Sequence, residues 1–527
     1  MHRTDPRVAA PLDEMSQRQL VAALAVTLAR EHGGVQHIET HISHVLVAGG
    51  YAYKLKKALR LPFADYATLA RRRACCDEEL RLNRRLAPAL YLDVVPVGGP
   101  PDAPRLGARE GIVDYAVRMR AFAQDALLSS LLDRGALPAS RVDELADTVA
   151  AFHARIPVAS SDSPHGMPAH ALDAALANCD AIAPLAPPAQ AALVAGLRAW
   201  TQAEFARCAP VMAQRRRDGF VRECHGDLHL RNVALVDGRV TVFDGIEFSA
   251  GLRWIDVMSE AAFTAMDLAD HARDDLAWRF VNRYLECTGD YGGVALLRFH
   301  LVYRAMVRAK VVLLRAQQLG EDAAAMPLRD DAWRYLALAE RLARPAPRAL
   351  VVTHGVSGSG KSMLTQRLCE ALPALRLRSD VERKRGAALA GRAAVEDAAA
   401  RLYSLEATTR TYAHLAALAG TLLDEGHAVI VDATFLARAQ RDAMRAVADR
   451  HGVPFVILAL DAPPTVLRAR VAERLQRADD ASEATLDVLA RQLATREPLA
   501  DDELAYTLAA DAARADIALA ALRGTLR

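Results

Sequence analysis

The sequence predicts an α+β unit followed by an α/β unit with a parallel sheet, on three observations. The first half holds two hairpin signals, around Gly49-Gly50 and around Asp237-Gly238, with mostly helical patterning from about Leu127 onward. The second half alternates short apolar runs with helix-length segments. Between them, Arg341-Leu342-Ala343-Arg344-Pro345-Ala346-Pro347-Arg348 puts two prolines in a basic stretch, which ends the preceding helix and sets a boundary near residue 346. At 527 residues the chain exceeds one ordinary core, so two or more domains are expected.

Taken in order, Val45 to Val47 and Tyr51 to Leu55 are strand-like runs, and Leu69 to Leu86 reads as a helix stopped by Pro88. A proline-rich loop, Pro96 to Pro104, precedes a strand from Asp114 to Met119. Val233 to Val236 and Val240 to Phe243 form the second hairpin. Beyond the boundary, strands are expected at Leu350–His354, Ala428–Val431 and Phe455–Ala459. A small β-rich part followed by a larger helical part precedes the α/β unit.

Composition narrows the possibilities. The chain is 52% hydrophobic and 25% charged, with a net charge of +2, so no global field calls for nucleic acid or a membrane as partner. The runs Arg71-Arg72-Arg73 and Arg215-Arg216-Arg217 read as solvated helix faces. Seven cysteines with no CxxC pair argue against a disulfide framework or zinc site and for a reducing compartment. The start, Met1 to Pro6, carries no signal-peptide pattern, and the most apolar stretch, Leu20 to Leu28, is too short to span a bilayer. A cytoplasmic location without membrane association is expected.

Two segments carry chemistry. The first is His225-Gly226-Asp227-Leu228-His229-Leu230-Arg231-Asn232. Phosphoryl transfer to a hydroxyl needs a carboxylate to accept the proton and metal ligands nearby. Asp227 fits the first role and Asn232, five residues on, the second. If Asp237-Gly238 makes a two-residue turn, Asn232 pairs across from Phe243, and Asp244 lies at the same end of the ribbon. One metal could then touch Asn232 and Asp244. A phosphate-pairing lysine should come from the first hairpin. Lys54 and Lys56 share one face there, and periodicity does not choose between them. Its carboxylate partner should lie on the next helix. Glu79 is preferred to Glu78 because it shares a face with Leu86. His225 is expected to brace the loop, while His229 has no assigned role.

The second segment is Gly355-Val356-Ser357-Gly358-Ser359-Gly360-Lys361-Ser362, a complete phosphate-binding loop between an apolar strand and a helix. Gly355, Gly358 and Gly360 let backbone N–H groups, including those at Ser357 and Ser359, wrap phosphate. Lys361 would neutralise the β- and γ-phosphates, and Ser362 would hold Mg²⁺. Asp380 and Arg383, three apart after the second strand, suit an acceptor-activating base and a cation that steadies phosphate or substrate. Asp432 ends an apolar strand as a Walker B carboxylate would. Arg470 and Arg474 lie one turn apart on one face of a basic helix, as lid arginines should. No aromatic-rich basic groove is evident, which weighs against a nucleic-acid acceptor.

The His-Gly-Asp-Leu-His-x-x-Asn segment with its downstream aspartate resembles the aminoglycoside phosphotransferase-like, protein kinase-like family over roughly residues 30 to 310. That resemblance implies a two-lobed α+β domain, here residues 1–345, with ATP, Mg²⁺ and a small-molecule hydroxyl acceptor. Ala52-Tyr53-Lys54 resembles the Ala-x-Lys of kinase third strands and favours Lys54; Val117 to Phe122, with Met119, would be the hinge beside adenine. Two features depart from the family: the metal segment reads Phe243-Asp244-Gly245-Ile246-Glu247-Phe248, and Glu39-Thr40-His41-Ile42-Ser43 stands where a glycine-rich loop is usual. Within a second domain expected over residues 346–527, about 349 to 500 resemble the AAA_33-type group of P-loop kinases that includes zeta toxin, gluconate kinase and polynucleotide kinase; Ser482-Glu483-Ala484 before Leu489-Ala490-Arg491-Gln492 resembles that group's lid region. The domain order resembles bacterial proteins described as bifunctional aminoglycoside phosphotransferase/ATP-binding proteins. The leading expectation is a phosphotransferase with two Mg·ATP sites. Two alternatives stand beside it: an N-terminal domain that only senses nucleotide or substrate, and a polynucleotide 5′-hydroxyl kinase. Acceptors and oligomeric state do not follow from these residues.

Overall fold

The computed structural model describes residues 12–61, 64–100, 102–320, 322–389, 404–477 and 484–525. The opening Met1 to Pro6 and Ser482-Glu483 of the lid region lie outside them. Two compact units are present. One comprises the chain up to Arg141, Ala151–Pro168 and Ala213–Thr264; the other comprises Val142–Ala150, Ala169–Met212 and the chain from Ala265. Compactness thus groups many helices that precede residue 346 with the phosphate-loop sheet. No helix among the described residues is long and apolar enough to cross a membrane.

The first unit is built on an antiparallel sheet of β1 (Gln36–Glu39), β2 (Ser43–Ala48), β3 (Tyr51–Lys56), β4 (Tyr91–Gly98), β5 (Arg105–Leu106) and β6 (Ile112–Arg120). Its spatial order is β1-β2-β3-β6-β4-β5. The Glu14–His32 helix covers one face. Asp13 caps it by accepting from the Ser16 N–H at 2.8 Å, and Gly33, with φ 79°, ends it. Leu20, Val21, Leu24 and Leu28 pack on Leu46, Tyr53, Leu55 and Ala116, each buried leucine or valine contributing about 1.5–3 kcal/mol. On the other face the Leu69–Asn83 helix buries Cys76 against Tyr91 and Val117. This helix is shorter than its sequence pattern: Arg85 and Leu86 donate to Leu82 and Asn83, a tightened turn ahead of Pro88.

Two readings are corrected here. Pro96 lies inside β4, not in a loop; its missing N–H costs nothing, while its carbonyl accepts from Gly107 N–H at 2.8 Å. The arginine runs are not uniformly solvated. Arg72 is 1% exposed and donates to Asp114, which Gln17 also contacts; Arg215 is buried and bidentate to Asp256. The middle residue of one run and the first of the other are therefore core ion pairs, which charge spacing alone does not distinguish.

The rest of this unit carries β7 (Val221–Glu223), the hairpin β8 (Val233–Val236) and β9 (Arg239–Val242), and β10 (Trp254–Asp256), which pairs with β7. The second unit contains long helices, among them Asp274–Thr288, Val294–Leu319 and Ala325–Ala343, the last two packed as a pair. Its sheet consists of β11 (Leu350–His354), β12 (Ala374–Arg378), β13 (Ala428–Asp432), β14 (Phe455–Ala459) and β15 (Thr507–Ala509). The order β12-β13-β11-β14-β15 is parallel throughout. β11 is buried at all five positions, as a central parallel strand covered on both faces requires. β15 is three residues long and was not expected.

Candidate active sites

In the first unit, hairpin register assembles the site. Asp237 and Gly238 both have positive φ (51° and 75°), the geometry of a type I′ turn, so Val233 faces Val242. One step further, the Phe243 N–H donates to the Asn232 carbonyl at 2.9 Å, which places Asn232 and Asp244 at the same end. Asp244 adopts φ 64°, a left-handed conformation uncommon for aspartate, and its surroundings hold it there. Its N–H donates to Tyr91 Oη at 3.1 Å, and the Gly245 N–H donates to Asn83 Oδ1 at 2.8 Å. The resulting carboxylate is 41% exposed and ion-paired with Lys54.

Lys54 also donates to Glu79 Oε1 at 2.8 Å, while Glu78 is taken up by Arg81 and Arg253. Lys56, on the same face, is fully buried and pairs with the other Glu79 oxygen and with Glu247. Burial alone would depress both amines. Asp244 and Glu79 outweigh it for Lys54, and Glu247 and Glu79 for Lys56, holding both well above the ordinary lysine range. Both hairpin lysines thus meet Glu79, and only Lys54 also reaches the site carboxylate. Met119 pairs in register with Ala52 and packs near Tyr91 and Phe243.

The loop 225–232 is pinned from below. Glu260 accepts from the His225 and Gly226 N–H groups at 3.1 and 2.6 Å and lies 3.0 Å from His153 Nε2. Gly226 has φ 89°, and a Cβ there would stand 2.9 Å from the Leu252 carbonyl. The His225 ring accepts from Asp227 N–H at 3.3 Å through Nδ1, so Nε2 is the donor to the Phe243 carbonyl at 2.8 Å. Asn232 Nδ2 donates to Asp227 Oδ2 at 3.1 Å, orienting that carboxylate and leaving the amide oxygen of Asn232 as the ligand-type atom. His229 Nε2 is 3.3 Å from Asp227 Oδ2. At the expected lid position, β1 and β2 join through a short glycine-free turn in which Thr40 N–H donates to the Ser43 carbonyl.

Burial would raise Glu260, but the His153 hydrogen bond and charge, His225 and the Gly226 N–H bring it from 4.5 to about 2. Its folded pKa is depressed, so its stabilisation is complete above about pH 4.5 and is lost as pH falls toward about 2. Glu260→Gln leaves one buried N–H facing an amide NH₂ and is expected to destabilise the protein by about 1–3 kcal/mol at neutral pH. Urea unfolding across pH should show this gap between wild type and variant closing through that acid window.

In the second unit, one cavity of ≈ 710 Å³ gathers the expected residues other than Gly355 and Ser359, which are not in its lining. Its lining includes Ser357, Gly358, Gly360, Lys361, Ser362, Asp380, Arg383, Asp432, Arg470 and Arg474. Gly355 has φ 151°, and a Cβ would lie 2.4 Å from the Leu460 carbonyl, so only glycine fits beside β14's exit. Ser359 is buried next to Lys361, whose Nζ donates to the Val356 carbonyl at 2.8 Å. Burial lowers the Lys361 pKa, opposed by Asp432 and Asp380. Asp432 is the last residue of β13 and accepts from Thr365 Oγ1 at 3.3 Å. Arg470 Nη1 donates to the Gly358 carbonyl at 3.2 Å, and Arg474 donates to that of Ala484 at 3.0 Å. Arg383 Nη1 is 3.9 Å from Asp380 Oδ1.

Gln492, from the expected lid segment, also lines this cavity, together with three residues that sequence reasoning did not single out, Arg378, Tyr412 and Thr434. Tyr412 Oη accepts from Phe435 N–H at 3.1 Å and lies 3.0 Å from Thr434 Oγ1, fixing the turn after Asp432. Arg378 was available as the residue before Ser379-Asp380. Thr434 stands two residues past Asp432, while Tyr412, like Glu260 and Tyr91, lies too far along the chain from its motif for spacing to signal it.

A family model described as AAA domain (AAA_33) matches residues 350–499. Among solved structures, a choline/ethanolamine kinase family protein from Mesorhizobium loti aligns at TM-score 0.37 and 11% identity, covering 61% of this chain and 99% of that one. A sugar kinase from Janibacter sp. aligns at TM-score 0.26 and 23% identity, covering 34% and 95%. The chain is 31% identical over 464 residues to the uncharacterized protein Rv2004c of Mycobacterium tuberculosis and, equally, to a Mycobacterium bovis protein. The match covers 87% of this chain and 89% of each of those. Carrying an AAA_33 segment and sharing this identity almost end to end, the chain belongs to the same family as these mycobacterial proteins.

Proposed function

We propose that the protein is an ATP-dependent phosphotransferase with two Mg·ATP sites, each passing the γ-phosphoryl group to the hydroxyl of a small-molecule acceptor. The observation that supports it most is that each unit, taken alone, brings together a carboxylate, a buried lysine and further side-chain oxygen atoms. In the first site Asp227 takes the acceptor proton, oriented by Asn232 and His229, and Lys54 pairs with phosphate while Glu79 holds it in place. In the second, Asp380 takes the proton, Lys361 and the loop N–H groups hold the β- and γ-phosphates, and Arg383, Arg470 and Arg474 balance the charge of the transferring group.

The ligand chemistry suits magnesium. Asn232 and Asp244 in one site, and Ser362 and Asp432 in the other, offer hard oxygen donors with no thiolate or imidazole among them. When bound there, Mg²⁺ supplies charge neutralisation to the phosphates.

A screen of ATP consumption with sugars, nucleosides, aminoglycosides and 5′-hydroxyl oligonucleotides tests the reading. Wild type, Asp227→Ala and Lys361→Ala are compared. One class of acceptor should depend on Asp227 and another on Lys361. If Asp227→Ala leaves every activity intact, the first unit is a sensor, a reading its glycine-free β1–β2 turn favours. If only oligonucleotides are phosphorylated, with binding that weakens as salt rises, the second site is a polynucleotide kinase.

A further inference from the structure

The Asp274–Thr288 helix, which precedes the phosphate loop by some way in the chain, is built into the edge of the parallel sheet. Asn282 imitates a neighbouring strand: its Oδ1 accepts from the Arg376 N–H at 2.7 Å, and its Nδ2 donates to the Ala374 carbonyl at 3.0 Å. One N–H and one carbonyl on the outer edge of β12 are thereby satisfied. One turn further along the helix, the Glu286 side chain is 2% exposed. Its Oε1 accepts from Arg376 Nε and Nη2 at 3.0 and 2.6 Å, and its Oε2 lies 3.6 Å from Arg378 Nη1. Arg385 donates to the Glu286 carbonyl at 2.6 Å and so ties the helix to the segment that carries Asp380 and Arg383.

Arg378 completes a chain of charge. It is the register partner of Asp432 across β12 and β13, its Nε is 3.7 Å from Asp432 Oδ2, and it lines the phosphate-loop cavity. Its guanidinium is thus shared between two carboxylates, one from the long helix and one at the end of β13. If the Glu286 carboxylate is removed, Asp432 still lies 3.7 Å from Arg378 Nε and can draw its guanidinium closer. A tighter Arg378–Asp432 pair would occupy the oxygens that a divalent cation needs.

We propose that Glu286 is a positioning residue of the second nucleotide site: by sharing Arg378 it keeps Asp432 available to a divalent cation. The inference rests on the reading of that cavity as a Mg·nucleotide site. It makes the site incomplete without chain that precedes residue 346.

The test is the Mg²⁺ dependence of ADP binding, read by calorimetry on the full chain in a Lys54→Met background that silences the first site. Glu286→Gln should raise the half-saturating Mg²⁺ concentration about tenfold, as loss of an outer-shell partner does. Adding Arg378→Gln should restore it to within about twofold, because the competing cation is gone. Glu286→Asp, which keeps the charge for Arg376 but shortens the arm, should shift it less in the same direction and covers the case in which Glu286→Gln does not fold. An unchanged Mg²⁺ requirement in the folded Glu286 variant, or no rescue by Arg378→Gln, overturns the proposal. The underlying reading fails separately, if Lys361→Ala in the same background leaves ADP binding untouched.

Discussion

Lys361→Ala is expected to slow phosphoryl transfer at the second site by about 10²–10³-fold, the usual effect of deleting one preorganised group that meets developing charge. Three features set that size. The amine is buried, so its field on a bound phosphate is weakly screened by water. It already rests on the Val356 carbonyl at 2.8 Å, within the loop that wraps the phosphates, so little reorganisation accompanies binding. Arg470 and Arg474 already donate to the Gly358 and Ala484 carbonyls, so neither is a spare cation that could take the place of the Lys361 amine. Stability should change little, because the lost hydrogen bond is one of several acting on the loop and no cation is left unpaired. Single-turnover transfer from labelled ATP, with a thermal melt alongside, measures both quantities.

Asp227→Asn is expected to reduce turnover at the first site by about 10²–10⁴-fold with little change in the acceptor KM, the range for loss of a positioned general base. The replacement keeps shape and the contact with Asn232, since an asparagine oxygen can still accept from Nδ2, where the aspartate now accepts at 3.1 Å. What it removes is the ability to hold a proton. A structural role for Asp227 would instead appear as lowered stability or altered nucleotide affinity. Steady-state kinetics, a nucleotide titration and a thermal melt of both proteins separate the two roles.

What could be read beforehand follows from how local each feature is. The β8–β9 register was legible because Asp237-Gly238 imposes a two-residue turn, and everything up to Asp244 follows by counting. The phosphate loop was legible because backbone wrapping demands glycine at fixed spacing. Lys54 and Lys56 could not be separated by periodicity, and the reason is physical: both do project to one face, and both reach Glu79. The arginine runs misled because burial depends on a partner remote in sequence, Asp114 for Arg72 and Asp256 for Arg215. The bracing of the 225–232 loop by Glu260, and the docking of Asn282 and Glu286 on β12, are likewise long-range. Helix periodicity marks such residues only as polar positions.

The central claim is that one chain holds two separate nucleotide sites. Calorimetric titration of the full chain with a non-hydrolysable ATP analogue and Mg²⁺ measures this directly. Two sites per chain are predicted for the wild type, one for Lys54→Met, one for Lys361→Ala and none for the double variant. A single site in the wild type, or two sites surviving in either single variant, would contradict the account.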